Sequence, residues 1–169
     1  IEVLWRDNQA GCKGVCEGVK TQSMTDSPDP SLCRDGRCLD EILLQGLPEL
    51  LGSAKGDQLI VLHMLGNHGP NYFERYPAEH EHFVPTCRSA ELSRCGRDEI
   101  ANAYDNAVRY TDEVLDRLIE LLANEHERDV AMLYLSDHGE SLGEYGLYLH
   151  GAPYRLAPRA QLHVPMTLW

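Results

Sequence analysis

The sequence predicts an α/β fold in which a mostly parallel sheet is sandwiched between helices, as a three-layer α/β/α arrangement. Residues 59–64 are continuously apolar and β-branched, as in a strand covered on both faces. Residues 130–135 form a second apolar run of this kind. Between them, from Asp98 to about Asn124, apolar residues recur every three or four positions, which predicts an amphipathic helix. Strand, helix and strand in this order indicate an α/β sheet with helices on its faces.

The elements before residue 59 can also be predicted. Residues 1–5 are apolar and predict a strand, which leads into a polar loop. Residues 21–37 are rich in Ser, Asp, Pro and Gly and predict a long surface loop. Asp40 is suited to cap a leucine-rich helix, which Gly46 and Pro48 are expected to kink or split.

Two loops and one strand complete the prediction. Residues 71–96 are aromatic, charged and proline-containing and predict a long excursion from the fold. Residues 153–162 predict another loop, after which residues 164–169 begin a last strand. No internal repeat or low-complexity tract is present, so we expect residues 1–169 to be part of one domain.

The composition, 43% hydrophobic and 25% charged, is that of an ordinary globular protein. The net charge of −12, from 15 basic and 27 acidic residues, argues against nucleic acid as a partner and against direct adsorption to an anionic lipid surface. No apolar run approaches the roughly 20 residues that span a bilayer, and no signal peptide is recognisable. Because the chain opens and stops inside apolar, strand-like runs, we expect it to be a fragment of a longer protein.

The six cysteines form three close couples. They are Cys12 with Cys16, Cys33 with Cys38, and Cys87 with Cys95. Sequence alone does not fix the pairing, but each couple lies in a polar segment where a disulfide can close a small loop. The repeated Cys-x₂-Cys spacing of zinc–thiolate clusters is absent. We therefore expect three disulfides and an oxidising compartment such as a periplasm, with six reduced core cysteines as the alternative.

The segment Ser136-Asp-His-Gly-Glu140 follows the predicted strand at 130–135. Inside a regular strand, Asp137 and His138 would point to opposite faces and could not share a ligand. Just past the strand end, Gly139 allows unusual backbone angles, so the carboxylate and the imidazole can converge on one ion. Asp and His suit zinc, at about 2.0–2.2 Å from each donor atom. The alternative is a simple turn with a surface histidine.

Sites in α/β sheets form beyond the carboxyl ends of strands. His68, Asp137 and His138 fall there by this rule, and we expect Asn8 and Lys13 there too. A further imidazole, His150, follows after a Gly-rich loop. The sequence therefore predicts a cluster of one carboxylate and three imidazoles at one edge of the sheet, where a metal could lower the pKa of a bound hydroxyl and stabilise a transferring phosphoryl group.

Two further charged residues are candidates for the chemistry. Glu140 is close in sequence and could orient a ligand or take a proton, and Lys13 offers a point charge for a phosphate. His63 lies inside a predicted strand and is expected to be a hydrogen-bonded core residue. The remaining histidines are predicted to be solvated or in loops, namely His80, His82, His126 and His163.

Several motifs occur together in a characteristic order. They are Trp5-Arg-Asp-Asn8, Cys12-Lys-Gly-Val15, Leu65-Gly-Asn-His-Gly-Pro70, Cys87…Cys95, Ala103-Tyr-Asp-Asn-Ala107, Ser136-Asp-His-Gly-Glu-Ser-Leu-Gly143 and Tyr148-Leu-His-Gly151. Together they resemble the lipid A phosphoethanolamine transferases, the family that includes the mobile colistin-resistance enzymes. The resemblance covers nearly the whole chain, and the paired cysteines fit the lipid A branch better than its relatives that modify core sugars or glucans.

The resemblance implies a periplasmic catalytic domain of the alkaline-phosphatase/sulfatase type, of which residues 1–169 are a part. An N-terminal membrane domain is expected upstream, holding the protein at the periplasmic face of the bacterial inner membrane. The family reaction moves phosphoethanolamine from phosphatidylethanolamine to a threonine and then to a lipid A phosphate. The implied partners are therefore a phosphatidylethanolamine donor, a lipid A acceptor and the membrane.

The resemblance also assigns roles residue by residue. By motif match, Asp137 and His138 correspond to two ligands of the catalytic zinc. His68 and His150 correspond to the pair that holds a substrate phosphate or a second zinc. Glu140, Asn8 and Lys13 match positions associated with the substrate pocket, and Glu140 is the catalytic candidate among them.

One departure from the family pattern limits the prediction. The nucleophilic threonine and the acidic ligand beside it would lie upstream of Ile1, and no threonine of this chain sits in a matching motif. Two ligands are too few for a closed tetrahedral zinc site. We therefore expect the isolated chain to bind zinc weakly and to be inactive.

Two other functions fit parts of the sequence. A sulfatase or phosphodiesterase of the same superfamily would release its product to water; the Cys/Ser-x-Pro-x-Arg signature of sulfatases is absent, but it would lie upstream. A non-catalytic, disulfide-bonded binding domain would require His68, Asp137, His138 and His150 to be incidental.

Overall fold

A computed structural model describes residues 1–169 and shows two compact units, residues 1–66 and residues 67–169. The strands are β1 (Glu2–Asp7), β2 (Lys20–Ser23), β3 (Cys33–Arg34), β4 (Arg37–Cys38), β5 (Gln58–His63), β6 (Leu133–Leu135), β7 (Ser141–Leu142), β8 (Tyr148–Leu149) and β9 (Met166–Leu168). The α-helices are α1 (Leu47–Ser53), α2 (Arg97–Ala123) and α3 (Arg159–Leu162). Short 3₁₀ helices cover Asp40–Leu44, Tyr72–Glu74, Ala78–His80, Leu92–Arg94 and Glu144–Gly146. None of the helices combines the length and the apolar character that a membrane crossing requires.

A three-stranded parallel sheet forms the centre of the unit of residues 1–66. β1 lies between β2 and β5, and Asp7 pairs with His63 where β1 and β5 end. The strands predicted at residues 1–5 and 59–64 are confirmed. The expectation that the second of them is covered on both faces is wrong, because none of its residues is buried and Leu59 is 54% exposed. The prediction of a continuous loop over residues 21–37 is wrong at β2, an edge strand whose side chains are all exposed and carry no apolar signal. It is also wrong at the short antiparallel hairpin of β3 and β4.

The helical segment after Asp40 is split, as predicted from Gly46 and Pro48. A 3₁₀ helix covers Asp40–Leu44, and α1 begins at Leu47 with Pro48 in its first turn, where a missing N–H costs nothing. The prediction that Asp40 caps a helix is wrong. Its carboxylate instead accepts hydrogen bonds from the backbone N–H groups of Leu65 and Gly66, at 2.8 and 2.6 Å.

The unit of residues 67–169 packs around α2. Ile100 and Ala103 of this helix are fully buried together with Tyr72 and Cys87. Before the helix, the side chain of Glu99 accepts a hydrogen bond from the Gly96 N–H at 2.6 Å, which satisfies one of the free donors at the helix start. The helix predicted from Asp98 to about Asn124 is therefore confirmed.

The prediction of a buried strand at residues 130–135 is wrong in length and in environment. Only Leu133–Leu135 are in a strand, and it pairs antiparallel with β9. Leu133 and Leu135 are 62% and 56% exposed. An apolar run shows that a segment can be buried, but its burial depends on what packs against it, which local sequence does not encode.

All three expected disulfides are formed. Cys12 bonds Cys16, Cys33 bonds Cys38, and Cys87 bonds Cys95, and no cysteine is free. The second bridge joins β3 to β4, where Cys33 and Cys38 are directly opposed in the hairpin. The third closes the loop that precedes α2, and Cys87 is buried against that helix.

Candidate functional site

Three histidines from three separate loops converge in the unit of residues 67–169. The rings of His138 and His150 are stacked with their centroids 3.8 Å apart, and His68 lies edge-on to both, at 5.7 and 4.8 Å. Each histidine contributes one ring nitrogen to a group whose atoms all lie within 4.8 Å of one another. The side chains are partly exposed, so an ion or a substrate group can reach them.

The hydrogen bonds of the three histidines fix which nitrogen faces the cluster. Nδ1 of His68 lies 2.7 Å from the carbonyl oxygen of Gly69, and Nδ1 of His138 lies 3.0 Å from that of Gly139. A carbonyl oxygen only accepts, so each Nδ1 donates and each Nε2 keeps its lone pair. His150 follows the same pattern, with Nδ1 bonded to a carboxylate oxygen of Glu140. Metal-binding histidines usually donate their second ring N–H to such acceptors.

A short hairpin brings Glu140 and His150 together. β7 pairs antiparallel with β8, and Ser141 is opposite Leu149. Glu140 directly precedes β7 and His150 directly follows β8, so the same register places these two residues opposite each other. Glu140 is buried, and its second oxygen accepts a hydrogen bond from the hydroxyl of Tyr72 at 2.6 Å. Burial raises the pKa of the Tyr72 hydroxyl well above its ordinary value, and the hydrogen bond to Glu140 raises this pKa further.

Gly139 allows the loop before the hairpin to lie directly against another backbone segment. Its N–H donates to the carbonyl oxygen of Gln161, just after the middle of α3, at 3.0 Å. A Cβ at position 139 would lie 1.9 Å from the carbonyl oxygen of Ala160. Only glycine fits this position, and the docked loop fixes the backbone that carries His138 and Glu140.

Gln161 holds the two arms of the hairpin from the side of α3. Its Nε2 donates to Oγ of Ser141 at 2.9 Å and to the carbonyl oxygen of Leu149 at 3.1 Å. Gln161 and Ser141 are both buried. The sequence interpretation assigned residues 153–162 to a loop and missed this residue, because a glutamine in a polar segment carries no signal of burial.

Asp137 lies beside the cluster but is mostly exposed. Its side chain is 87% accessible, and Oδ1 is 3.8 Å from Nε2 of His138. Since Nε2 is the free nitrogen of His138, the carboxylate and the imidazole are near enough to face one ion. The role of Asp137 as a zinc ligand stays a prediction.

Asn8 and Lys13, the other predicted site residues, lie in the unit of residues 1–66. Asn8 is buried, and its Nδ2 donates to Oδ1 of Asp40 at 2.8 Å and to the carbonyl oxygen of Cys38 at 3.0 Å. Lys13 is exposed and has a positive φ of 48° in the loop that the Cys12–Cys16 disulfide closes. Their predicted roles in substrate binding stay predictions.

The histidines outside the cluster have other partners. Nδ1 of His63 lies 2.5 Å from Oδ1 of Asp7, which confirms the predicted hydrogen bonding. The prediction of a core position is wrong, because the His63 side chain is 25% exposed. His80, which was expected to be solvated, lies 2.9 Å from a carboxylate oxygen of Glu113 on α2.

Comparison with known proteins gives the family directly, because the model of the family described as Sulfatase matches residues 1–169. The chain belongs to the Sulfatase family. Its fold is accordingly the α/β fold of alkaline-phosphatase type that the sequence predicted. The soluble domain of lipooligosaccharide phosphoethanolamine transferase A from Neisseria meningitidis is similar in structure, with a TM-score of 0.95 and 46% identity over all of this chain and 51% of that one.

Further known proteins are also similar along the whole chain. Phosphoethanolamine transferase EptA of Salmonella typhimurium is 48% identical over 170 residues. The C-terminal periplasmic domain of phosphoethanolamine transferase EptC from Campylobacter jejuni is 43% identical, with a TM-score of 0.87 over all of this chain and 52% of that one. The chain spans only 31% of the Salmonella protein. The predicted resemblance to phosphoethanolamine transferases is confirmed.

Proposed function

We propose that this chain is part of a phosphoethanolamine transferase that moves phosphoethanolamine from phosphatidylethanolamine to a phosphate of lipid A. The observation that carries the proposal is the convergence of His68, His138 and His150, with their Nε2 atoms free, in a chain similar throughout to enzymes of that name. A non-catalytic binding domain would have no need for three free imidazole nitrogens in one place.

Zinc is the metal that this donor set fits. Imidazole and carboxylate ligands suit zinc, and all three histidines have the backbone or carboxylate acceptor on Nδ1 that metal-binding histidines use. The ring nitrogens of the cluster all lie within 4.8 Å of one another, which would let neighbouring imidazoles serve one zinc or two adjacent zinc ions. When bound, zinc would lower the pKa of a coordinated hydroxyl and stabilise negative charge on the phosphoryl group.

The residues of this chain divide the work in the proposed reaction. Asp137 and His138 hold the catalytic zinc together with ligands from the upstream segment. His68 and His150 bind the substrate phosphate or a second zinc. Glu140 holds His150 in the tautomer that presents Nε2, and is the candidate for proton transfer at that imidazole.

The nucleophile of the proposed reaction is a threonine upstream of this chain. Its oxygen forms a bond to phosphorus while the bond from phosphorus to the diacylglycerol oxygen of the donor breaks. In the second half, an oxygen of the lipid A phosphate attacks the same phosphorus and releases the threonine. The chain would contribute the histidine cluster to both halves.

The proposed location is the periplasmic face of the bacterial inner membrane, with an upstream membrane domain as the anchor. Three disulfides in 169 residues support an oxidising compartment. The Campylobacter relative is described as a periplasmic domain. The strongly acidic charge of this chain argues that the membrane is reached through the anchor and not by adsorption.

The test is a transfer assay with the intact protein, including its upstream segment. The protein is mixed with a phosphatidylethanolamine labelled in the head group and with lipid A, and the labelled lipid A is measured by mass spectrometry. We expect His138→Ala to reduce transfer at least about 100-fold, because it removes a direct ligand. His126→Ala, a change at an exposed histidine just after α2, is the matched control and should leave transfer unchanged.

Two outcomes would replace the proposal. Release of free phosphoethanolamine at the same rate with and without lipid A would identify a hydrolase of the same superfamily. Absence of bound metal in the intact protein, together with no effect of His138→Ala, would favour a non-catalytic binding domain.

A further inference from the structure

Tyr72 is a fully buried polar residue next to the histidine cluster. It begins a 3₁₀ helix in the segment that the sequence interpretation treated as an excursion, and only 1% of the residue is exposed. Its hydroxyl donates to Oε2 of Glu140 at 2.6 Å. The proposed reaction does not use this tyrosine directly, because it contacts none of the three clustered imidazoles through its hydroxyl.

The carboxylate of Glu140 connects Tyr72 to the cluster. One oxygen accepts from Tyr72, and the other accepts from Nδ1 of His150. Both hydrogen bonds are on a side chain that is itself buried. The torsion of the carboxylate is therefore set from two directions, and loss of either partner leaves a buried oxygen unsatisfied.

Close packing leaves this carboxylate little freedom to rotate. A Cβ at Gly69 would lie 2.5 Å from Cδ2 of Leu149, 2.7 Å from the hydroxyl of Tyr72 and 2.8 Å from Oε2 of Glu140. The backbone of Gly69 thus covers the Tyr72–Glu140 hydrogen bond, and the same residue supplies the carbonyl that orients His68. Two of the three imidazoles depend on groups that pack together at this point.

We propose that Tyr72 is a positioning residue of the site, which fixes the carboxylate of Glu140 so that His150 keeps its proton on Nδ1 and presents Nε2 to the metal or the substrate phosphate. The inference rests on the proposed function for the identity of that ligand. The orientation of His150 itself is a property of the chain without any ligand.

The first experiment measures the tautomer of His150 without metal. The chain is labelled with ¹⁵N in its histidines, and long-range ¹H–¹⁵N correlation spectra are recorded near pH 8, where an ordinary histidine is neutral. Wild-type His150 should show the Nδ1–H tautomer. In Tyr72→Phe, which removes one oxygen and keeps the ring, the resonances should shift towards a mixture with the Nε2–H tautomer.

The second experiment measures the zinc affinity of the intact protein, with its upstream segment, by competition with a fluorescent chelator. Loss of an outer partner of a metal-binding histidine typically costs about 10- to 100-fold in affinity, and we expect about 10-fold for Tyr72→Phe. Glu140→Gln should cost at least as much. The double variant should bind zinc as Glu140→Gln does, because Tyr72 acts only through Glu140.

Tyr104→Phe is the matched control. Tyr104 packs edge-on against Tyr72 with the ring centroids 5.5 Å apart, and its hydroxyl bonds Asn67 instead of Glu140. This variant should keep the wild-type tautomer of His150 and the wild-type zinc affinity. If Tyr72→Phe proves too unstable to study, 3-fluorotyrosine at position 72 keeps the packing, strengthens the donor, and should move the His150 resonances in the opposite direction.

The two readouts separate the possible failures. A Tyr72→Phe variant with unchanged His150 resonances and a zinc affinity within about twofold of the control would overturn the positioning role. An intact wild-type protein that binds no zinc would count against the proposed metal site, while the spectra of the metal-free variants would still decide the role of Tyr72. Additive losses of zinc affinity in the double variant would also overturn the positioning role, since they would show that Tyr72 does not act through Glu140.

Discussion

Substitution of Gly139 by alanine tests whether the loop that carries His138 is held by close backbone packing. The new Cβ would lie 1.9 Å from the carbonyl oxygen of Ala160 and 3.0 Å from its carbonyl carbon. Ordinary contact begins at 3.4 Å, so the two segments would have to separate by about 1.5 Å. Both obstructing atoms belong to the backbone, and no side-chain rotation can relieve the clash.

The magnitude follows from two contributions. Overpacking costs about 1–3 kcal/mol, and the upper part of that range applies where the backbone itself must move. A separation of this size also breaks the hydrogen bond from the Gly139 N–H to Gln161, a loss of about 1 kcal/mol. We expect a total of about 3 kcal/mol, which lowers the melting temperature of a chain of this length by roughly 6–12 °C.

The assay is thermal unfolding followed by circular dichroism, with Gly52→Ala as the control. Gly52 lies in α1, where a Cβ meets nothing within 4 Å. Alanine should therefore leave the melting temperature unchanged or raise it slightly, because glycine inside a helix costs about 0.5–1 kcal/mol. A cost of 1 kcal/mol lowers the melting temperature of a chain of this length by roughly 2–4 °C. A Gly139→Ala variant that melts within about 2 °C of the wild type would therefore refute the close packing at this loop.

Three further predictions concern the unit of residues 67–169. Asn106→Ala should destabilise the protein by about 3 kcal/mol or more, because the buried amide accepts from the backbone N–H groups of residues 82 and 83 and donates to the carbonyl of residue 83. Asn102→Ala, one turn earlier on α2, removes a half-buried side chain with one exposed hydrogen bond and should cost less than about 1 kcal/mol in a parallel urea titration. Replacement of both Cys87 and Cys95 by alanine should cost about 2.5 kcal/mol from loop-closure entropy alone, and equal unfolding midpoints with and without the bridge would contradict this account. Burial and the hydrogen bond to Glu140 raise the pKa of Tyr72, so the unfolded chain loses this proton at a lower pH than the folded chain. The free energy of unfolding should therefore fall as pH rises above about 10. Tyr72→Phe should make this fall in stability between pH 10 and 11 less steep.

Strongly periodic or continuously apolar segments were predictable from the sequence. α2 has one apolar face over 27 residues, and that face is buried, so local pattern and final environment agree. The position of β5 was found from its apolar run, but no residue of β5 is buried and Leu59 is 54% exposed. β2 has no apolar residue and was missed, because its backbone is held by pairing with β1 and not by burial of its side chains. β6 was assigned a buried environment that it does not have.

The members of the candidate site were predictable to a similar degree. His68 and His138 were found from their positions after predicted strands, and His150 from the motif around it. The relation of Glu140 to His150 also had a signal, since the two flank a short hairpin with glycines at its turn. Tyr72 had none: a tyrosine in an aromatic, proline-containing segment can be exposed or buried with equal ease.

The sequence by itself determined the α/β class, the three disulfide couples and the identity of the imidazoles, because each depends on residue type and on spacing along the chain. Only the tertiary structure decided which nitrogen each imidazole presents, why glycine is required at positions 69 and 139, and that Tyr72 reaches the site through Glu140. Those properties arise from contacts between loops that are distant in sequence. The geometry of these contacts is fixed by packing of the whole unit, and no single segment of the sequence specifies that packing.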